Sequence, residues 1–173
     1  MVVVGGICPA KGQLQVVQAM AKLSSEVATN VTLDLIGWAD EDYLNEIKSE
    51  ILKQKLDNVN LLEAKKNIND VLSDYDIGIT SSRAEGFGRV TAEYMHAGLG
   101  VIVSDAGANT ELVEADKNGL VYRYGDIDSL AYCIQKFYWD RDFLKSCSRY
   151  AIEKAQNYYT REANAKSIIQ EYY

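Results

Sequence analysis

The feature that most constrains this chain is a repeated alternation of short apolar runs with longer amphipathic stretches. Six runs read as strands: Met1–Val4, Val31–Ile36, Asn58–Leu62, Asp76–Thr80, Gly100–Ser104 and Gly119–Tyr122. Several are rich in valine and isoleucine with little polar alternation, which predicts strands covered on both faces. The stretches between them carry helical spacing. Leu14, Val17 and Ala21 share one face of the first. Leu44, Ile47 and Ile51 share a face further on, with Leu52 and Leu56 beside them, and Leu130, Ile134 and Phe137 do so later. Asp126 stands where it caps that later helix. Three helical segments are expected after the last strand, over roughly residues 126–173. Repeated β–α units with right-handed crossovers place the chain in the α/β class, as a doubly wound, parallel, Rossmann-like sheet. Ligands of such sheets bind beyond the carboxyl ends of the strands. The 173 residues contain no linker, repeat or low-complexity stretch and only one proline, Pro9, so one domain spanning residues 1–173 is expected.

Charge narrows the partners. The formal net charge is -7 and no lysine- or arginine-rich stripe stands out. Nucleic acid is therefore excluded as a partner, because its backbone requires clustered positive charge. A small anion can still be held locally, by backbone amides, a helix N-terminus and one or two placed cations. No run reaches the roughly 20 apolar residues of a membrane span, and no signal-peptide pattern opens the chain. Cys8, Cys133 and Cys147 form no CxxC pair, which reads as three reduced thiols in a cytoplasmic protein. With His96 the only histidine, a His/Cys metal site is not expected.

The stretch after the fourth strand carries the most chemistry: Ser81-Ser82-Arg83-Ala84-Glu85-Gly86-Phe87-Gly88-Arg89-Val90-Thr91-Ala92-Glu93. Its glycines let backbone approach a ligand, and a helix beginning near Gly88 aims free N–H groups at the strand ends. Glu85 lies in the loop, and Glu93 lies more than a turn into the helix at ~3.6 residues per turn. Both carboxylates are expected to border one pocket, with amides for a phosphate between them. Carboxylates accept from paired hydroxyls, so a sugar or ribose suits them better than a second anion. Taken alone, Glu93 reads equally well as a solvated helix residue. Asp74-Tyr75-Asp76 has the D-x-D form of some metal sites, but it precedes a strand, at the wrong end of the sheet.

Glu85-Gly86-Phe87-Gly88 followed by Glu93 resembles the Glu-x7-Glu motif of family-four glycosyltransferases, which have the two-domain GT-B fold. The run from Tyr94 to Asp105 is similar to the family's "EAMAxGxPVIxSD". Asn109 to Val113 and Asn118 to Tyr122 are similar to its "GGxxEIV…NGLLV". Gly5 to Gly12 resembles its phosphate-binding loop "GRLxxEKG", and the likeness extends to about Asp128. The resemblance implies the donor-binding, C-terminal domain of a retaining enzyme using a nucleotide-sugar, by family frequency a UDP-sugar, in bacterial polysaccharide or glycoconjugate synthesis. It implies Glu85 at the donor sugar as the catalytic carboxylate, and Glu93 on the ribose. It implies the diphosphate on Gly6, Lys11, Gly86, Phe87, Gly88, Arg89 and Val90. Gly37, Ala64 and Ile68 would line the base pocket. No metal and no cofactor beyond the donor are implied. Replacing Glu85 by glutamine would then leave binding of a bare diphosphate unchanged.

This sequence departs from the family at two places. The loop arginine is Gly6, so either the phosphates depend more on helix amides or Arg83 or Arg89 supplies a second cation beside Lys11; the proline before the fifth strand is Gly100, expected to loosen that turn. The chain opens on what resembles the first strand of the C-terminal domain, so the N-terminal acceptor domain is expected to be absent from it. That leaves Tyr150, Tyr158, Tyr159, Tyr172 and Tyr173 as either interface or packed residues. The expected location is cytoplasmic, with association to the inner membrane face through the absent domain. Two other functions stand beside this one. A non-catalytic nucleotide-sugar-binding module would present the same residues, whereas an epimerase on a related fold would need further carboxylates, histidines or a cofactor lysine, a set this sequence does not show.

Overall fold

The computed structural model describes residues 1–159. Six strands form one parallel sheet in the order β3-β2-β1-β4-β5-β6. They are β1 (Val2–Val4), β2 (Leu33–Ile36), β3 (Val59–Leu62), β4 (Ile77–Thr80), β5 (Gly100–Ser104) and β6 (Leu120–Tyr122). The helices are α1 (Gln13–Met20), α2 (Ser25–Asn30), α3 (Glu41–Gln54), α4 (Asn69–Leu72), α5 (Arg89–His96), α6 (Asn109–Leu112), α7 (Ile127–Trp139) and α8 (Arg141–Tyr158). All six expected strands are present. Of the three helical segments expected after β6, α7 and α8 lie among the described residues, and the remainder, with Tyr172 and Tyr173, lies outside them.

Adjacent residues on a strand point to opposite faces, and the core divides accordingly. Val3, Leu35, Ile79 and Ile102 face one way, with Val17, Ile47, Ile134 and Phe137 of α1, α3 and α7. Val2, Ile36, Val101 and Val103 face the other way, with Tyr94, Met95 and Ala151 of α5 and α8. The expectation of strands buried on both faces holds at the centre and fails at the β3 edge, where Asn60 and Leu62 are exposed. Two helix faces also differ from the sequence reading. In α1 the buried stripe runs through Gln13, Val16, Val17 and Met20, and Ala21 is exposed because the helix has already ended there. In α3, Tyr43 and Ile47 are buried while Leu52 is 77% exposed. Asp126 caps α7 as expected, accepting from the Ser129 N–H at 2.9 Å. Cys133 and Cys147 are buried, and burial pushes both thiols up to about 11.

Gly100 does not loosen a turn. It is the first residue of β5, and its N–H donates to the Asp76 carbonyl at 2.8 Å. A β-carbon there would stand 3.0 Å from Leu144 and 3.2 Å from Phe137, so the missing side chain is what lets α7 and α8 pack onto the strand. Gly78 serves α5 in the same way. The fully buried Tyr94 ring lies against it, and the Tyr94 hydroxyl accepts from the Val4 N–H at 2.7 Å, fixing α5 to the end of β1. A β-carbon on Gly78 would meet that ring at 2.4 Å. Gly78→Ala is therefore expected to destabilise the chain by about 1–3 kcal/mol, the usual cost of overpacking. Urea unfolding measures this, and an unchanged midpoint would show that α5 can shift without loss.

Candidate functional site

In the observed strand order, the direction of winding reverses between β1 and β4. Loops leaving the carboxyl ends of those strands diverge and open a crevice. The loop after β1 holds a single 3₁₀ turn, Pro9–Lys11, with proline preset at its first position. Lys11 ends that turn, and its carbonyl accepts from the Ser81 hydroxyl at 2.8 Å. The loop after β4 runs through Ser81 and Ser82, both buried, to Glu85 and Gly88. Gly88 has φ +76 and is the N-cap of α5, and no side chain caps that end of the helix. The first-turn N–H groups and the positive end of the helix dipole therefore face the crevice.

The resulting cleft, of about 460 Å³, is lined by Lys11 and the whole run from Glu85 to Val90. Lys11 Nζ lies 2.5 Å from Glu85 Oε1, and the Ser82 hydroxyl donates to the same oxygen at 2.6 Å. The Glu85 carbonyl accepts from the Ala108 N–H at 2.9 Å. Beneath the loop lies a buried polar network. The Gln15 amide donates to the Ser81 carbonyl at 2.7 Å and accepts from the Gly125 N–H at 3.1 Å. The Ser104 hydroxyl donates to the Ser82 carbonyl at 2.7 Å, and the Asn109 amide reaches Ser104 at 3.4 Å. Thr91 completes it, 2.9 Å from Thr80 and 3.3 Å from Asn109. Such satisfied networks hold a loop in one arrangement.

Most of the expected phosphate-binding residues converge here, and several others do not. Glu93 is not among the residues lining the cleft. It lies three and four residues beyond Val90 and Arg89, which do line it, and so continues their face of α5 by one turn. Burial pushes its carboxyl above the ordinary value, with Arg89 partly opposing. Arg89 borders the cleft, whereas the exposed Arg83 does not. Gly6 also lies outside it. The Trp38 ring lies beside Gly6, where a β-carbon would stand 3.3 Å from it. Gly37 and Ala64 line a second cleft beside Trp38, of about 570 Å³, at the ends of β2 and β3. Ile68 does not join them and packs against the sheet core. His96 sits at the far end of α5, 3.4 Å from the Tyr159 carbonyl. Asp74 and Asp76 lie at the amino edge of the sheet, where Asp76 pairs with Arg141 at 2.6 Å.

The sequence reading passed over Ser82 and Gln15. Small polar residues between an apolar strand and a glutamate were the available signal for Ser82. Nothing local marks Gln15, whose partners are 66 and 110 residues away.

The family model of group 1 glycosyl transferases matches residues 1–154. The chain belongs to that family. This group 1 chain is 28% identical over 131 residues to the lipopolysaccharide core biosynthesis mannosyltransferase LpsB of Rhizobium meliloti (strain 1021), covering 74% of itself and 37% of that protein. It superposes on the Anabaena Alr3699/HepE structure in complex with UDP with a TM-score of 0.91 and 27% identity, over 98% of this chain and 48% of that one. It also shares the fold of the C-terminal domain of a group 1 glycosyl transferase (LpcC) from Francisella tularensis. That match has a TM-score of 0.83 at 21% identity and covers 92% of this chain and 86% of that one. The architecture is thus the Rossmann-like C-terminal half of the GT-B fold, and the group 1 chain spans less than half the length of LpsB and of Alr3699/HepE.

Proposed function

We propose that this chain is the donor-binding half of a retaining glycosyltransferase that moves a hexose from a UDP-sugar to an acceptor, in polysaccharide or glycoconjugate synthesis. The observation that carries the reading is the Lys11–Glu85 pair set over the uncapped N-terminus of α5 at the β1/β4 reversal. A diphosphate placed there meets the amides of Gly88, Arg89 and Val90 and the cations of Lys11 and Arg89. The donor sugar then lies against Glu85, and the ribose lies one turn along α5 at Glu93. The base reaches toward the cleft of Gly37 and Ala64. Amides and side-chain cations supply the counter-charge, so the reaction needs neither a divalent ion nor a cofactor besides the donor.

As the diphosphate leaves, positive charge develops at the anomeric carbon, and the Glu85 carboxylate stabilises it. The acceptor comes from an N-terminal partner domain of the same enzyme. The chain alone binds nucleoside diphosphate and transfers no sugar. The enzyme works in the cytoplasm, at the inner face of the membrane. The UDP complexes of Alr3699/HepE support the choice of nucleotide. Calorimetry of this chain with UDP-, GDP-, ADP- and CMP-sugars tests the reading. UDP-sugars are expected to bind tightest, and absence of binding by all four would overturn it.

A further inference from the structure

Lys11 already has a partner before any ligand arrives. Its ammonium lies 2.5 Å from Glu85 Oε1, inside the cleft where a diphosphate would seek the same charge. Glu85 is not a loose surface carboxylate that happens to fall nearby. Its side chain is 14% exposed and its carbonyl is tied to Ala108. Its Oε1 is held a second time by the Ser82 hydroxyl, which is itself buried and fixed through the Ser82 carbonyl to Ser104. A diphosphate entering the cleft therefore meets a Lys11 whose charge is already partly neutralised by this carboxylate.

We infer that Lys11 is a shared cation, held by Glu85 in the empty site and passed to the diphosphate on binding, with Ser82 positioning Glu85 for both states. This rests on the donor-site reading above. The consequence runs opposite to the sequence expectation that Glu85 is indifferent to a bare diphosphate. Glu85 competes with the diphosphate for Lys11, so it weakens binding of nucleoside diphosphate and hastens its departure as product. Ser82 does two things. In the empty site it holds Oε1 at Lys11, and in the loaded site it remains the hydrogen-bond donor to Glu85 after Lys11 has gone. It is a positioning residue and, being buried, does not itself touch ligand.

A mutant cycle read by calorimetry with UDP tests this on the chain itself. Glu85→Gln is expected to bind UDP several-fold more tightly than wild type, with a slower dissociation rate. Lys11→Met is expected to bind more weakly, and Lys11→Met/Glu85→Gln is expected to match Lys11→Met. Ser82→Ala leaves the loaded carboxylate without its remaining donor, so it should weaken UDP in the wild-type background and do so less when added to Glu85→Gln. A purely structural role for Ser82 would weaken binding equally in both backgrounds. If Glu85→Gln tightens UDP equally with and without Lys11, the effect is general charge repulsion and the sharing is overturned. It is also overturned if Glu85→Gln leaves the affinity unchanged or lowers it, while wild-type binding of UDP leaves the donor-site reading standing. Wild type that binds no nucleoside diphosphate would sink that reading, and the sharing with it.

Discussion

Replacing Glu85 by glutamine is expected to lower turnover of the full-length enzyme by about 10²- to 10³-fold, the usual scale for removing one group aimed at transition-state charge. Glutamine has nearly the same shape and can still accept from the Ser82 hydroxyl, so the loop is expected to keep its place. What it lacks is the negative charge that matters as the anomeric carbon becomes positive. The loss should therefore fall on kcat, with the donor KM unchanged or lower. A lower KM would agree with the release of Lys11, so one substitution carries two effects of opposite sign. Steady-state kinetics on the two-domain protein provides the measurement. Turnover near the wild-type value would remove Glu85 from the chemistry.

Glu93→Gln is expected to trade affinity for stability. Burial raises the Glu93 carboxyl above its ordinary value. Between the ordinary and the raised value, the folded chain keeps a proton that the unfolded chain has released. The stability linked to that proton is present at lower pH and is lost as pH rises through the window. Above that window the carboxylate is charged and partly desolvated, and its neutral isostere should raise the Tm. Below the ordinary carboxylate range the gain should vanish. In the proposed donor site the same substitution removes a charged acceptor from the ribose. Hydrogen bonds to charged groups contribute about 1.5–3 kcal/mol, so UDP binding should weaken roughly ten- to a hundredfold at ~1.4 kcal/mol per decade. Thermal unfolding across pH, paired with calorimetry, reads both. A variant that binds UDP normally would release Glu93 from the ribose role.

The sheet and the glycine turn at the head of α5 were legible because their signals are local. Valine-rich runs, the Gly86-Phe87-Gly88 turn and the caps act within a few residues, and all six strands follow from them. A glycine misled where its reason lay elsewhere in space. Gly100 was read by its sequence position as a loosened turn, yet Leu144 and Phe137 decide it from α8 and α7. Ile68 was placed in the base pocket by the family resemblance, and its apolar side chain packs against the sheet core. The Lys11–Glu85 pair spans 74 residues and has no sequence period. Charge can be counted along a chain, but which charges meet is settled by the crossover between β1 and β4.

The Gln15 amide bears on how such domains can be recombined. It joins α1 to the end of β4 through Ser81 and to the turn after β6 through Gly125. A chimera with a breakpoint anywhere between residues 15 and 125 takes the two sides of at least one of these contacts from different parents. Both partners are backbone groups, so the second parent must hold those loops in the same place, or a buried amide is left half-bonded at the floor of the cleft. Breakpoints before α1 or after Gly125 keep the set together. The floor of the cleft is therefore inherited as one block, and exchanging its loops singly should yield folded chimeras with poorly formed clefts.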